Sequence, residues 1–426
     1  MKHIYKKMHS KNGLTVVVSP MQQMASVSLG VWIGVGGRYE TPSESGISHI
    51  VEHMLFKGTH SRSAKELKQS IEGVGGGFNA FTSDEVTCYM AKVPARYMKL
   101  GVDILADMVL NARFDAEDLA REKFVVCEEI KMYRDQPADQ ALELLGKIMW
   151  PGNALGRPLT GDIATVKGFS TGKLIKFRDD NYHPGNIAVV AAGNVDPREI
   201  FKYAEQSFAG RKKKRRRAFK KPSVSQRSPC AKVSRGQTKQ AHIAMGFRAG
   251  GHDVRERFAL TLMNVIFGGN MSSRLFEELR EKHGLCYDIS SMYKRHSDIG
   301  EIQIHAGVDN KKALQSIVAI VDELIKLKDL GVTRDELSRA KEYAKGQFVL
   351  AMEGTSTRMI WLGDRLMVHR KIPDVKHILK QIDSVTPDDI LKESKRVFNA
   401  SGVNLAVVGK IIEKEKRSIK SVIGRL

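Results

Sequence analysis

The sequence predicts an α+β chain built as a tandem duplication of two similar domains, each a mainly antiparallel sheet with helices packed on one face. Three observations predict it. The apolar pattern switches between a period of 2 and a period of 3.6, so strands and helices come in distinct blocks. Strand-like runs occur in adjacent pairs, which favours antiparallel neighbours. The order of elements is then replayed after a basic tract at mid-chain, RKKKRRRAFKK at 211–221, in which nine of eleven residues are Lys or Arg.

In the first half, GLTVVVSP and ASVSLGVWIGVGG read as strands, followed by helices from SGISHIVEHMLF and AKELKQSIEGVG. GFNAFTSDEVTCYMAKVP supplies two more strands, and helices follow from ARYMKLGVDILADMVLNA, DAEDLAREKFVVCEEIKMYRD and ADQALELLGKIMW. STGKLIKFRDDNY leads as a helix into the apolar strand NIAVVAAGNV, and DPREIFKYAEQSF closes the half. The second half repeats the series. QAHIAMGFRAGG stands for the strand ending in two glycines, RERFALTLMNVIFGG and MSSRLFEELREKHG for the first two helices, and LCYDISSMYKRH with GEIQIHAGV for the next strands. Three long helices, then TPDDILKESKRVF and the strand VNLAVVG, complete it. FDAEDLAREK and VTRDELSRAK look like two copies of one helix start. The expected division is 1–210, a basic linker 211–230, and 231–426, with each copy about 200 residues, a comfortable domain size.

Composition excludes several classes. With 426 residues, 42% hydrophobic and 27% charged, the chain is neither disordered nor fibrous. MKHIYKKMHSKNGLTVVV lacks the apolar core of a signal peptide, and no apolar run of about 18 residues exists to span a bilayer. A soluble chain without an export signal is expected, in the cytoplasm, with an organelle matrix as the alternative. Cys88, Cys127, Cys230 and Cys286 form no CxxC pair and read as reduced, packed thiols. The net charge of +21 has two readings. It could attract polyanions. Because blocks of like charge are usually exposed, the 211–221 tract reads first as an interdomain linker, and nucleic acid is not an expected partner.

GISHIVEHMLF carries the chemistry. His49 and His53 lie one turn apart on one helix face, close enough for two imidazoles to converge on one cation at the roughly 2.0–2.1 Å that zinc requires. Glu52 leans toward the same edge and can take a proton from a zinc-activated water without being a ligand. Three polar groups on an apolar helix would be expensive without a metal to satisfy them. A third ligand is needed. The helix AREKFVVCEEIKMYRD offers Glu122 and Glu129, which share a face, and Glu128, about 100° away. Spacing alone leaves Glu128 and Glu129 open.

HxxEH is the inverted form of the HExxH zinc motif, and on it the chain resembles the pitrilysin and insulinase superfamily over essentially its whole length. The closest likeness is to the two-domain branch of bacterial processing proteases and the mitochondrial processing peptidase. The resemblance implies a zinc metalloendopeptidase with one zinc per chain. It selects Glu129, 76 residues beyond His53, as third ligand and Glu122 as the auxiliary acid behind it. It makes GGGFNAFTSDEVTCY the edge strand that binds extended substrate by main-chain pairing, with Gly77, Asn79, Ala80 and Phe81 in contact. It assigns Arg280 and Tyr287, in LREKHGLCY, to holding the substrate carbonyl and the developing oxyanion.

The second half lacks the metal set. Aligning FGG at 267–269 with FKG at 56–58 puts Leu260, Met263 and Asn264 opposite His49, Glu52 and His53, and the two helix starts put Ala340 and Gln347 opposite Glu122 and Glu129. One half therefore does the chemistry while the other supplies a wall. The branch commonly pairs chains around a closed chamber, so a homodimer acting on peptide or unfolded protein is expected, or a heterodimer with a related inactive subunit. A non-proteolytic scaffold subunit and a polyanion-binding protein are the competing readings.

Overall fold

Ser26–Ile33 sends alternate side chains into two separate cores, and that alternation organises the first half of the molecule. Val27, Leu29, Val31 and Ile33 join one apolar cluster, while Trp32 joins another on the opposite face. The computed structural model describes residues 4–223, 225–236, 238–252 and 256–426. Among them two sheets form. The first contains β1 (Lys6–His9), β2 (Thr15–Pro20), β3 (Ser26–Ile33), β4 (Gly77–Thr82), β5 (Thr87–Pro94) and β6 (Ile187–Gly193), in the order β1-β2-β6-β3-β5-β4. Only the β2·β6 pairing is parallel. The second contains β7 (Cys230–Arg235), β8 (Gln240–Gly250), β9 (Cys286–Arg295), β10 (Ile299–Asp309) and β11 (Asn404–Gly409), in the order β7-β11-β8-β10-β9, with only β7·β11 parallel. Each copy is thus a mainly antiparallel sheet with helices, as expected of an α+β duplication.

The first sheet is covered on one face by α1 (Ile47–Leu55), α2 (Ala64–Glu72), α3 (Met98–Asn111) and the start of α4 (Ala116–Asp135), which contribute to the larger cluster. Its other face is not left bare. Helix Thr355–His369, from the second half of the sequence, packs on β3, β6 and β2. Small side chains on β3 let it approach: Ser28 Oγ hydrogen-bonds Thr355 and Ser356 at 2.9 Å, and Trp32 lies beneath Gly363, where a Cβ would fall 2.0 Å from the indole. Correspondingly, α5 (Pro137–Met149) from the first half packs on β8 and β11, against Ala244, Ala406 and Val408.

The compact units therefore interleave in sequence. Unit 1 is Met1–Ile130, Arg157–Lys221 and Val349–Asp374; unit 2 is Lys131–Gly156, Pro222–Phe348 and Val375–Leu426. Each sheet exposes a second apolar face that its own half cannot cover, and one helix from the other half buries it. The 211–221 tract also differs from a free linker. It has no regular secondary structure but belongs to unit 1, where the Lys214 amide donates to His183 Nδ1 at 3.1 Å and Arg216 Nε to the Gly185 carbonyl at 2.5 Å.

Smaller departures are local. Strands β1 and β7 and helices Ile163–Lys167, Val375–Asp383 and Glu413–Ile423 lie outside the elements the sequence predicts, and Phe276–Lys282 winds as a π-helix. In Val375–Asp383 the buried residues are Ile378 and Ile382, too few apolar positions to stand out in the sequence. All four cysteines are free thiols.

Candidate metal centre

α1 forms because Ile47, Ile50, Val51, Met54 and Leu55 bury one broad face. Its N-cap is Gly46 at φ +88°, a left-handed conformation that a side chain would strain, and this residue cannot cap the helix itself. Glu40 does so instead: its buried carboxylate accepts the Gly46 and Ser48 amides, both at 2.8 Å. Negative charge at a helix N-terminus is favourable. Burial nevertheless dominates and lifts the Glu40 pKa to about 7, against the lowering effect of those amides and of Arg157.

On the partly exposed face of α1, His49 and His53 stand edge to face with ring centroids 4.6 Å apart. The Glu129 carboxylate from α4 joins them, with Oε2 3.7 Å from His49 Nε2 and 3.8 Å from His53 Nε2. Tetrahedral zinc with bonds of about 2.0–2.1 Å would separate its ligand atoms by about 3.4 Å, so a small inward adjustment suffices. Two imidazoles and one carboxylate with their ligand atoms within 4.8 Å of one another match a catalytic zinc donor set, which retains a further position for water or substrate. Burial, with His53 beside it, depresses the His49 pKa to about 4, so this imidazole is neutral and available as a ligand.

His53 is held from behind. Its Nδ1 lies 3.0 Å from Glu122 Oε2, and the other Glu122 oxygen takes the Lys57 ammonium at 2.5 Å. Donation from Nδ1–H to this carboxylate leaves the Nε2 lone pair facing the centre. Burial pulls the His53 pKa down, but the Glu122 hydrogen bond and charge, with Glu129 and Glu52, outweigh it and raise it. Burial pushes Glu122 up, and the His53 and Lys57 contacts more than reverse that.

Glu52 Oε2 accepts the Thr82 hydroxyl at 2.5 Å. Its pKa is raised because burial and the Glu129 charge outweigh Thr82 and His53. Thr82 ends β4, an edge strand paired on one side with β5. In β4, Ala80 packs with the larger cluster, Phe81 stands edge-on to Trp32 at 5.5 Å, and Asn79 Oδ1 accepts the Ala80 amide at 2.8 Å. Gly77 is open, with no atom within 4 Å of where a Cβ would sit. Phe81 is therefore anchored in a core as well as placed on the edge strand.

Arg280 and Tyr287 are brought together within unit 2, the guanidinium 5.0 Å from the centre of the exposed Tyr287 ring. Arg280 lies in the π-helix and Tyr287 at the start of β9.

Thus the structure gathers His49, His53, Glu129, Glu122 and Glu52 at one centre, and Glu129 is the glutamate whose carboxylate joins the two histidines. Sequence reasoning missed Glu40, Lys57 and Thr82. Lys57 lies one turn beyond His53 and Glu40 six residues before Gly46, both local enough to be readable signals; Thr82 reaches the centre only through tertiary packing.

Residues 15–163 match the family model described as insulinase (peptidase family M16), and residues 168–343 match the peptidase M16 inactive domain. An uncharacterized zinc protease of Bacillus subtilis is 35% identical over 92% of this chain and 95% of its own length. One from Streptomyces coelicolor is 32% identical, covering 96% and 91%. Among solved structures, a protease from Helicobacter pylori superposes with a TM-score of 0.89 at 22% identity, covering 95% of this chain and 99% of that one. A peptidase M16 inactive domain from Pseudomonas fluorescens gives 0.89 at 18% identity over 96% and 98%. The relatives carry zinc in their names, and the donor set above fits that metal. With its HxxEH helix in the first matched segment and a copy without that motif in the second, the chain belongs to the insulinase family, peptidase family M16, whose cofactor is zinc.

Proposed function

We propose that the chain is a zinc-dependent endopeptidase that hydrolyses extended or unfolded peptides. The observation that carries the reading is the convergence of His49, His53 and Glu129 next to Glu52, whose carboxylate is tied to the end of an edge strand. Zinc bound there supplies Lewis-acid polarisation of a water and of the scissile carbonyl. Glu52 accepts the proton of the attacking water and passes it to the leaving amine; a raised carboxyl pKa serves both halves of that exchange. Thr82 occupies one Glu52 oxygen and leaves Oε1 to face the reactants. Glu122, neutralised by Lys57, orients His53.

Substrate backbone pairs with the open side of β4 along Gly77, Asn79, Ala80 and Phe81, so extended shape is selected more strongly than sequence. Arg280 and Tyr287, assigned through the family resemblance, act as donors to the carbonyl oxygen as charge develops. One zinc per chain, an enclosed chamber and pairing of two chains complete the proposal.

The test is cleavage of a mixed set of unfolded peptides by the purified chain, with zinc quantified in parallel for wild type and Glu52→Gln. Zinc near one per chain in both, with activity in the wild type alone, supports the reading. Zinc without cleavage by either protein points to a scaffold or a missing partner chain, and full activity in the variant removes Glu52 from the role of base.

A further inference from the structure

We propose that the basic tract is a strap that seats the metal helix, with Arg217 and Phe219 as its positioning residues. The Arg217 guanidinium takes both oxygens of Glu44, at 3.2 Å and 2.5 Å. Glu44 also accepts the Thr41 amide at 3.0 Å and hydroxyl at 2.8 Å, closing the short helical turn before α1. Two residues further on, the Phe219 ring lies 3.8 Å from the guanidinium carbon of buried Arg38 and edge-on to Tyr39 at 5.3 Å. The tract thus grips residues 38–44 at both ends. Lys214 and Arg216 fix its approach through His183 and Gly185.

What it grips holds two parts of the centre. Glu40, between the two grip points, caps α1 through the Gly46 and Ser48 amides. Arg38 pairs with Glu85 at 2.6 Å, and the Gly37 and Arg38 amides donate to the Ser83 and Asp84 carbonyls at 3.1 and 2.8 Å. This is the turn directly after Thr82, which binds Glu52. One segment therefore sets the position of the zinc helix and of the hydroxyl that orients the base. A bidentate guanidinium–carboxylate pair fixes geometry in a way that a lysine charge does not. Lys212, Lys213 and Lys221 are exposed, so a polyanion-binding role would depend on them, whereas a strap would depend on Arg217 and Phe219.

The inference rests on the proposed peptidase only for its activity readout. In the full chain, Arg217→Glu is expected to weaken zinc binding about 3- to 10-fold, less than the roughly 10- to 100-fold cost of losing a group that touches a ligand directly. It should lower kcat while KM stays within about twofold, because the edge strand is untouched. It should also speed amide exchange at Gly46 and Ser48 by about fivefold or more, a readout needing neither metal nor substrate. Phe219→Ala should act in the same direction. The charge exchange Glu44→Arg with Arg217→Glu should restore zinc affinity to within about twofold of wild type, and Lys212→Gln with Lys213→Gln and Lys221→Gln should change none of these quantities. Unchanged exchange at Gly46 and Ser48 in Arg217→Glu overturns the strap, as does an equal effect from the lysine variant. If no peptide is cleaved by any form, exchange and zinc affinity still decide the strap while the peptidase reading fails separately.

Discussion

α1 and helix Arg257–Phe267 each follow a long inner strand of their copy, β3 and β8, yet one presents His49, Glu52 and His53 and the other presents Leu260, Met263 and Asn264 at the matching positions. Leu260 and Met263 are fully buried, and Asn264 is engaged with Ser291, accepting its hydroxyl at 2.9 Å. On the facing helices, Glu122 and Glu129 in unit 1 correspond to buried Ala340 and to Gln347 in unit 2. The difference teaches that the scaffold itself requires no metal. Filling the helix face with apolar side chains stabilises it outright, whereas half-buried imidazoles and carboxylates are costly until a cation satisfies them.

The comparison breaks most decisively at the ligands. His53→Ala should abolish zinc retention and reduce peptide cleavage by about 10³-fold or more, while Asn264→Ala should leave zinc content unchanged; metal analysis and peptide assays on both variants decide it. Loss of zinc in the unit 2 variant would mean that the copies share the metal function.

A second contrast lies in the covering helices. Gly363→Ala places a methyl 2.0 Å from the buried Trp32 indole, a rigid obstacle, and should destabilise by about 2–3 kcal/mol. Gly246→Ala in unit 2 meets the Met149 and Leu145 side chains at 2.4 and 3.1 Å, which can turn aside, and should cost about 1 kcal/mol. Thermal unfolding of the two variants ranks them, and equal losses would show that both faces yield alike.

The units also oppose one another in pH response. Glu336 in unit 2 is brought to about pKa 2, since Arg274 and the Thr333 amide and hydroxyl outweigh burial. Its folded pKa lies below the ordinary value, so its contribution is complete above about pH 4.5 and fades as pH falls toward 2. Glu336→Gln should cost about 1–2 kcal/mol at pH 7 and flatten the acid limb. Glu40 in unit 1, raised to about 7 by burial, behaves oppositely: its term is most favourable below pH 4.5 and is lost as pH rises through 7. Denaturation of Glu40→Gln against pH should show a shallower decline between about pH 4.5 and 7, and an unchanged slope there would contradict the assignment.

The smallest expected effect concerns the groups behind the ligands. Lys57→Met removes the cation that balances Glu122 and should weaken zinc by about 3- to 10-fold without releasing it, measured by competition with a chelator. An effect as large as that of His53→Ala would instead place Lys57 among the groups the fold cannot do without.

The duplication, the strand and helix blocks and the HxxEH face were legible because each is a local pattern: periodicities of 2 and 3.6, and a spacing of one helical turn between His49 and His53. Even the third ligand was narrowed to Glu128 or Glu129 by residue type on one helix. Spacing could not choose between them, because which carboxylate meets the histidines depends on how α4 lies against α1. The same holds for Thr82 and Arg217, which act across 30 residues between Thr82 and Glu52 and 173 between Arg217 and Glu44. It holds too for helix Thr355–His369 and α5, each of which comes from the other half of the sequence, where burial of a second sheet face outweighs the order of the chain. The sequence by itself determined the fold class, the candidate metal-binding face and the loss of that face in the second copy, since these follow from backbone periodicity and side-chain type. Only the tertiary structure decided which distant groups, Glu129, Glu122 and Thr82, meet that helix, because those contacts depend on packing between segments that no local period connects.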